Sequence, residues 1–371
     1  MRGWLLTFCL MTLFIMSTMP LLAAAENKVV IVAIPRLMLE DISERTPNLL
    51  EFVRTSAVGM MTQSRLGSPV RIYQAWNSGM SLRPSRSGPL FMDAAEIYRG
   101  QPVAQLYRAL TGFSISSDGA VHIGFPQLYQ INSSNAAYLG RVGALLHEAS
   151  LKTAAIGNCD IDTLDTLDRS SSAMLMDDRG RIDYGAVGSG TNLKDPDFPA
   201  GTRSDPQQIL TYWQSFNRLA QVILITLGDL ERLEAYSNNL TEIRWNHYRR
   251  LTLNRYDRLF GELLKQIDGE KTLTVLFTTL PPSRERRRTE NAAAPVIIHG
   301  PDFDRGLLTY DWNWQKGHVS ANDSAVTVLH FLGIAKPSRF DGAELRRVPG
   351  DWKRLLLNRA KFPLGFFQEL A

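Results

Sequence analysis

The sequence predicts an α/β protein, a three-layer α/β/α sandwich with a mostly parallel central sheet. The first observation is a short run rich in Val and Ile, residues 28–34, which stops at Pro35. Such a run is typical of a strand that is buried on both faces of a parallel sheet. The second observation is that further apolar runs alternate with helical patterns along the chain. We therefore predict that strand 28–34 lies near the middle of the sheet.

The first residues have the pattern of a secretory signal peptide. Arg2 precedes an uncharged run at 4–22, and three alanines at 23–25 supply small residues for cleavage. We expect residues 1–25 to be removed and the protein to be secreted or to lie in the cell envelope. The alternative is a retained membrane anchor, because the run approaches the length of a spanning helix. No later stretch predicts a membrane span.

Composition limits the possibilities for the rest of the chain. The formal net charge of +4 and the pI of about 9.0 are mild over this length and do not indicate nucleic acid as a partner. Residues 26–371 are expected to form one α/β domain, with a small insertion around 83–138 where the periodicity weakens. Cys9 lies in the signal peptide, so Cys159 is the only remaining thiol and no intrachain disulfide can form.

The remaining elements follow from the same periodicities. Strands are predicted at 56–62, 119–125, 151–157, 221–227 and 272–279, and helices at 69–76, 137–150, 207–220 and 239–267. The segment 172–185 is predicted to be a β-hairpin with its turn at 178–180, followed by a polar loop at 188–206. These elements restore the alternation that a doubly wound sheet requires.

The chain contains Thr46-Pro47-Asn48-Leu49, a segment at 295–301 and a segment at 322–334. These three motifs resemble the alkaline phosphatase superfamily. The first is Thr46-Pro47-Asn48-Leu49, which is similar to the helix start that follows the first strand in that superfamily. The second is the strand 295–298 leading into His299-Gly300-Pro301, where the family usually has Gly-Pro-Gly. The third is the segment 322–334, which ends in Leu-Gly-Ile as the family usually does. The resemblance implies an alkaline phosphatase-like sandwich, the core that phosphatases, sulfatases and phosphoglycerate mutases share.

The resemblance also implies three candidate site residues. Ser68, before Pro69 at a helix start, matches a hydroxyl nucleophile, and a plain N-cap is the alternative. Asp229, just after strand 221–227, matches a catalytic metal ligand, again with an N-cap as the alternative. His318 matches a metal-binding histidine before the closing helix, with an ordinary loop histidine as the alternative.

Four positions where the family usually carries metal ligands are apolar in this sequence. Pro35 stands where the first strand usually ends in Asp, and Leu233 stands where a His follows Asp229 by one helical turn. Leu280 and Pro281 replace the Asp and His of a Ser-Asp-His-Gly motif. Their side chains cannot ligate a cation, so we expect no cofactor. If the protein is active, the resemblance implies a divalent ion, either zinc, magnesium or manganese.

A basic run follows the last of these positions. It contains Arg284, Arg286, Arg287 and Arg288. Guanidinium groups pair bidentately with phosphate or carboxylate, so the run is predicted to bind an anion at the rim of the ligand crevice. A solvated loop is the alternative.

An acidic cluster precedes the predicted hairpin. Asp160, Asp162, Asp165 and Asp168 have short spacings, but the Gly turn and final Glu of a calcium-binding EF-hand are absent. We therefore expect these carboxylates to form turns and caps.

The sequence thus favours an extracytoplasmic pseudoenzyme, an alkaline phosphatase-like protein that has lost its metal chemistry and acts by binding. An anionic envelope component or another envelope protein would be its partner. The first alternative is an active hydrolase of phosphoesters or sulfate esters that uses Ser68, Asp229 and His318. The second is a structural partner in a cell-envelope assembly.

Overall fold

The computed structural model of the 371-residue chain describes residues 27–62, 68–80, 90–285 and 293–357. The predicted signal peptide, part of the predicted insertion and Arg286 to Arg288 lie outside these ranges. Within the described ranges, no helix has the length and apolar character needed to cross a membrane.

The strands and helices that the periodicities predict form in the predicted order, except in the segment 172–185. The strands are β1 (Lys28–Ala33), β2 (Ala57–Thr62), β3 (Phe91–Asp93), β4 (Ile97–Tyr98), β5 (Gln101–Pro102), β6 (Ala120–His122), β7 (Thr153–Ile156), β8 (Arg181–Ile182), β9 (Tyr184–Ala186), β10 (Asn192–Lys194), β11 (Thr202–Ser204), β12 (Val222–Thr226), β13 (Thr272–Phe277), β14 (Ala293–His299), β15 (Gly306–Thr309), β16 (His318–Val319) and β17 (Arg346–Val348). The helices are α1 (Pro47–Thr55), α2 (Pro69–Ser78), α3 (Val103–Thr111), α4 (Phe125–Ile131), α5 (Arg141–Glu148), α6 (Pro206–Phe216), α7 (Asp229–Ala235), α8 (Glu242–Leu264), α9 (Ala321–Phe331) and α10 (Lys353–Leu357).

The main sheet has ten strands, in the order β17-β15-β2-β14-β13-β1-β12-β7-β9, with β16 beside β2. β1 pairs in parallel with β12 on one side and with β13 on the other. Antiparallel pairing is confined to β14 with its two neighbours and to β17 at the edge. The predicted sheet, mostly parallel with strand 28–34 near its middle, is confirmed.

Helices cover both faces of this sheet. Successive side chains of β1 point to opposite faces, and each face packs against its own set of helices. Val29 and Ile31 point to a core shared with α2, α5 and α9. Val30 and Val32 point to a second core shared with α1, α6 and α8. The period of two in a strand therefore produces the predicted three-layer sandwich.

A second, small sheet lies over this framework. It is antiparallel and consists of β3, β6 and β8. Its own apolar cluster includes Met92, Val121 and Ile123 from the strand region, with Val103 and Tyr107 from α3. The proposed division into one domain with an insertion stays a prediction.

The predicted β-hairpin at 172–185 is wrong. A buried 3-10 helix occupies Ser170–Met174, and β8 pairs with β6 while β9 joins the main sheet beside β7. Asn77 in α2 donates hydrogen bonds to the carbonyl oxygens of Met174 and Met176, both at 2.9 Å. The Asn77 side chain, rather than a partner strand, therefore satisfies these carbonyl groups. The segment connects the small sheet to the main sheet. The turn itself does form, because the Gly180 N–H donates to the Asp177 carbonyl at 2.9 Å.

Candidate functional site

The carboxyl ends of the central parallel strands meet at one edge of the sheet. Ala33, the last residue of β1, pairs with the last residues of both β12 and β13. In an open α/β sheet this edge forms the ligand crevice. We define the crevice here by four charged residues that follow these strands, Arg36, Asp229, Glu231 and Arg232.

Arg36 fills the part of the crevice beyond β1. Its backbone is in the left-handed region, with a φ of 65°, which costs a residue with a side chain about 1–2 kcal/mol. The guanidinium pairs bidentately with Glu231 through Nε at 2.7 Å and Nη2 at 2.8 Å. Its Nη1 donates to the Pro281 carbonyl at 3.1 Å. Burial alone would lower the pKa of Arg36, but the charges of Glu231 and Glu234 raise it above its usual value.

Asp229 fills the part of the crevice beyond β12, and one of its carboxylate oxygens accepts three hydrogen bonds within the protein. Oδ1 accepts hydrogen bonds from the Ser204 N–H at 2.7 Å, from the Ser204 hydroxyl at 3.1 Å and from Arg232 Nη1 at 2.8 Å. Gly228 is the N-cap of α7 and Asp229 is its first residue. The N-cap alternative for Asp229 is therefore wrong.

The Arg232 guanidinium is fully buried and connects the crevice to the segment after β7. Its Nε donates to the Asp160 carbonyl at 2.7 Å, and Nη2 donates to the side-chain oxygens of Asn158 and Asn192, both at 2.8 Å. Every nitrogen of this guanidinium is thus hydrogen-bonded, as a buried charge requires.

The predicted acidic cluster contributes a third pair. Arg169 binds Asp160 through Nε at 2.9 Å and Glu96 through Nη1 at 2.7 Å. Asp168 accepts hydrogen bonds from the N–H and hydroxyl of Ser170. Burial raises the pKa of Asp160 and of Asp168. Asp168 therefore has the expected turn role, whereas Asp160 pairs with Arg169 and Asp162 accepts from the Thr202 hydroxyl.

Solved structures share this architecture. No protein family and no curated protein matches the chain. A protein in the alkaline phosphatase superfamily from Vibrio parahaemolyticus is similar over 86% of this chain and 69% of its own, with a TM-score of 0.50 and 14% identity. BT1596, a 2-O GAG sulfatase, is similar over 86% of this chain and 73% of its own, with a TM-score of 0.51 and 10% identity. The chain has the alkaline phosphatase superfamily fold. The predicted fold and resemblance are confirmed.

The crevice of this alkaline phosphatase-like fold does not fit the divalent ions that the resemblance implies. Leu233 and Leu280 are buried apolar residues, and the Pro281 carbonyl accepts from Arg36. Among the described residues, no three of His, Cys, Asp and Glu lie close enough together to hold a metal ion. A cation entering here would also meet two buried guanidinium groups, which repel it.

Ser68, the predicted nucleophile, lies at the start of α2. It is the N-cap of α2, with Pro69 as the first helical residue, but its hydroxyl makes no capping hydrogen bond. β2, which leads to Ser68, is separated from β12, which leads to Asp229, by three strands. No hydrogen bond within the described ranges joins Ser68 to Asp229. Their catalytic roles stay predictions.

His318 lies in β16, which is separated by four strands from β12, the strand that leads to Asp229. It pairs with Met60 of β2 and is half-buried. Burial lowers the pKa of its imidazole, which favours the neutral form that a metal ligand requires. The structure places His318 in a strand rather than in a loop, and its metal-binding role stays a prediction.

Arg284 of the predicted anion-binding run is turned back onto the protein. Its Nη2 donates to the carbonyl oxygens of Ser237 and Leu240. The guanidinium also lies 5.1 Å from the centre of the Trp245 ring, in a cation–π contact. The other three arginines of the run lie outside the described residues, so anion binding by the run stays a prediction.

Sequence reasoning missed the paired residues of the crevice, Arg36, Glu231 and Arg232. A signal for them was present in the sequence. Each is a charged residue within six positions of the end of a buried strand, β1 or β12. A charged side chain just after a buried strand must either be solvated in the crevice or pair with an opposite charge, because burying an unpaired charge is costly.

Proposed function

We propose that this chain is a catalytically degenerate protein with an alkaline phosphatase-like scaffold, which acts outside the cytoplasm by binding. The observation that carries the proposal is the bidentate pair between Arg36 and Glu231 in the crevice. This pair supplies an internal cation next to the position where the superfamily usually has its first metal-binding Asp. The second potential ligand, Asp229, is committed to Arg232.

Opening either of these pairs is energetically costly. Freeing a carboxylate for a metal would leave a guanidinium buried without its partner, which costs about 3–5 kcal/mol. Two such pairs would have to open, and the entering ion would still lack imidazole ligands. The paired state of the crevice should therefore be lower in free energy than a state in which its carboxylates bind a metal ion.

The location of the proposed activity rests on the amino-terminal pattern. Residues 1–25 have the composition of a signal peptide, and the solved structures with the same fold do not bear on this point. We propose that the protein meets its partner in the cell envelope or outside the cell. The partner would be an anionic envelope component or another envelope protein.

An active phosphoester or sulfate-ester hydrolase is the second candidate. It is favoured by Ser68, whose hydroxyl stands at the start of a ten-residue helix and makes no capping hydrogen bond. Backbone N–H groups at a helix start attract oxyanions, although Pro69 lacks one of them. In this candidate Ser68 would be the nucleophile and would depend on added zinc, magnesium or manganese.

Hydrolysis assays separate the two candidates. Wild type and Ser68→Ala would be incubated with an aryl phosphate and an aryl sulfate, with each of the three metals. The binding proposal expects equal rates for both proteins, at the level of the buffer. A metal-dependent rate that is lost in Ser68→Ala would overturn it. A structural role in an envelope assembly has no comparable support in the crevice.

A further inference from the structure

A groove between the segment before α1 and the first half of α8 has the properties of an anion site. Its volume is about 500 Å³, which lies in the range of small-molecule sites. Arg45 and Thr46 line one wall, and His247, Arg249 and Arg250 line the other. It adjoins the crevice at the Arg36 carbonyl, but nothing in the proposed function depends on it.

Arg249 is the central residue of this groove. It is only 5% exposed, and its Nε donates to Asp41 Oδ1 at 3.0 Å. Its Nη2 donates to Asp41 Oδ2 and to the Arg36 carbonyl. Its Nη1 is also buried but has no hydrogen-bond partner among the described residues. A charged donor that is buried and unpaired is unfavourable, so a ligand that accepts from it would be stabilised.

The charges around Arg249 leave the groove positive. Two acidic residues line the groove, Glu40 and Asp41, and Asp41 pairs with Arg249 itself. Arg45 and Arg250 are exposed at the rim. Neither makes an ion pair or a side-chain hydrogen bond within the described part of the chain. Two unpaired guanidinium groups beside a buried third one match the several oxygens of a tetrahedral anion.

We propose that the α1–α8 groove binds a phosphate or sulfate group carried by a larger molecule. Arg249 Nη1 donates to one oxygen of the anion from the floor of the groove. Arg45 and Arg250 donate from the rim and determine most of the affinity for the charge. The groove volume accommodates part of the molecule to which the anion is attached.

The test is a calorimetric titration of the purified protein at low ionic strength with inorganic phosphate, inorganic sulfate and phenyl phosphate. Arg45→Gln and Arg250→Gln should each weaken binding at least about tenfold, because each removes a charge-assisted hydrogen bond. Both residues are exposed, so their variants should unfold at the same temperature as wild type. Tighter binding of phenyl phosphate than of phosphate would identify the ester as the preferred ligand.

Arg258→Gln is the matched control, since it removes an exposed arginine from the same helix outside the groove. It should change the affinity less than twofold. Equal weakening by all three variants would reduce the effect to general surface charge and would overturn the site. The absence of saturable binding by any of the three probes would mean that water satisfies Arg249, which also overturns it.

Discussion

At the scale of single residues, the molecule is marked by buried guanidinium groups that are paired within the protein. Arg36, Arg169 and Arg232 each bind a carboxylate next to the carboxyl edge of the sheet. The sequence predicted that metal ligands would be missing but not what replaces them. Pairing between residues almost two hundred positions apart, as in Arg36 and Glu231, depends on the folded topology and leaves no local pattern.

The pair between Arg36 and Glu231 should contribute strongly to stability. Glu231→Gln leaves the buried Arg36 guanidinium with the more distant Glu234, at 3.9 Å, as its one carboxylate partner among the described residues, so the free energy of unfolding should fall by about 3 kcal/mol. Urea unfolding measures this change. Glu148→Gln, which breaks an exposed pair with Arg141, should change it by less than about 1 kcal/mol. Similar losses in the two variants would contradict the role of burial.

His147 should make stability depend on pH. Hydrogen bonds to Asp177 and Asp183 raise the pKa of His147 from 6.5 to about 9. A raised folded pKa means that the charged form stabilises the fold fully below pH 6.5, and that this stabilisation is lost as the pH rises through about 9. Wild type should therefore exceed His147→Gln in unfolding free energy more at pH 6 than at high pH.

The measurement for His147 is urea unfolding of both proteins across this pH range. His330→Gln, which removes an exposed histidine, serves as the matched control. A difference between wild type and His147→Gln that does not change with pH would contradict the contribution of the two carboxylates.

At the scale of elements, the sequence predicted buried strands well and connections poorly. β1, β12 and β13 were recognisable because each is a short apolar run, which is typical of a strand buried on both faces. The hairpin predicted at 172–185 was wrong because the apolar residues of this segment pack against α2. Neither period of two nor turn residues distinguishes that packing from a hairpin.

The end of β12 should tolerate no side chain at Gly228. A Cβ there would lie 2.1 Å from the Asn158 carbonyl oxygen and 2.8 Å from Cys159 Cα. Gly228→Ala should therefore lower the free energy of unfolding by about 2 kcal/mol, as measured by urea unfolding. Gly190→Ala is the control, because its nearest contact would be at 3.5 Å. Equal stability of both variants would show that the two strand ends do not approach so closely.

The arginine run after β13 should bind anionic surfaces through its last three arginines, which follow Glu285. Changing Arg286, Arg287 and Arg288 to Gln should weaken binding to anionic vesicles at low salt. The effect should shrink at physiological salt, where screening acts beyond about 8 Å. Cosedimentation with vesicles measures the binding. The control triple changes other exposed arginines to Gln: Arg108, Arg218 and Arg258. Equal weakening of vesicle binding by the two triple variants would show that the run is a solvated loop with no specific role in binding.

At the scale of the whole molecule, the alkaline phosphatase superfamily fold surrounds a crevice that is filled by paired charged residues. The three-layer order followed from β1 and from the motifs at both ends of the chain, and solved structures share it at 10–14% identity. Such divergence retains the buried strands because both faces of the sheet must remain apolar. The crevice residues need only pair with one another, so other side chains at these positions are compatible with the same fold.

The most direct test of the account is the metal content of the purified protein after dialysis against zinc, magnesium and manganese, followed by removal of free ions. Elemental analysis would count the ions per chain. The account predicts no stoichiometric divalent ion, because Arg36 and Arg232 hold the carboxylates of the crevice. Two ions per chain, released when Asp229 is changed to Asn, would contradict it.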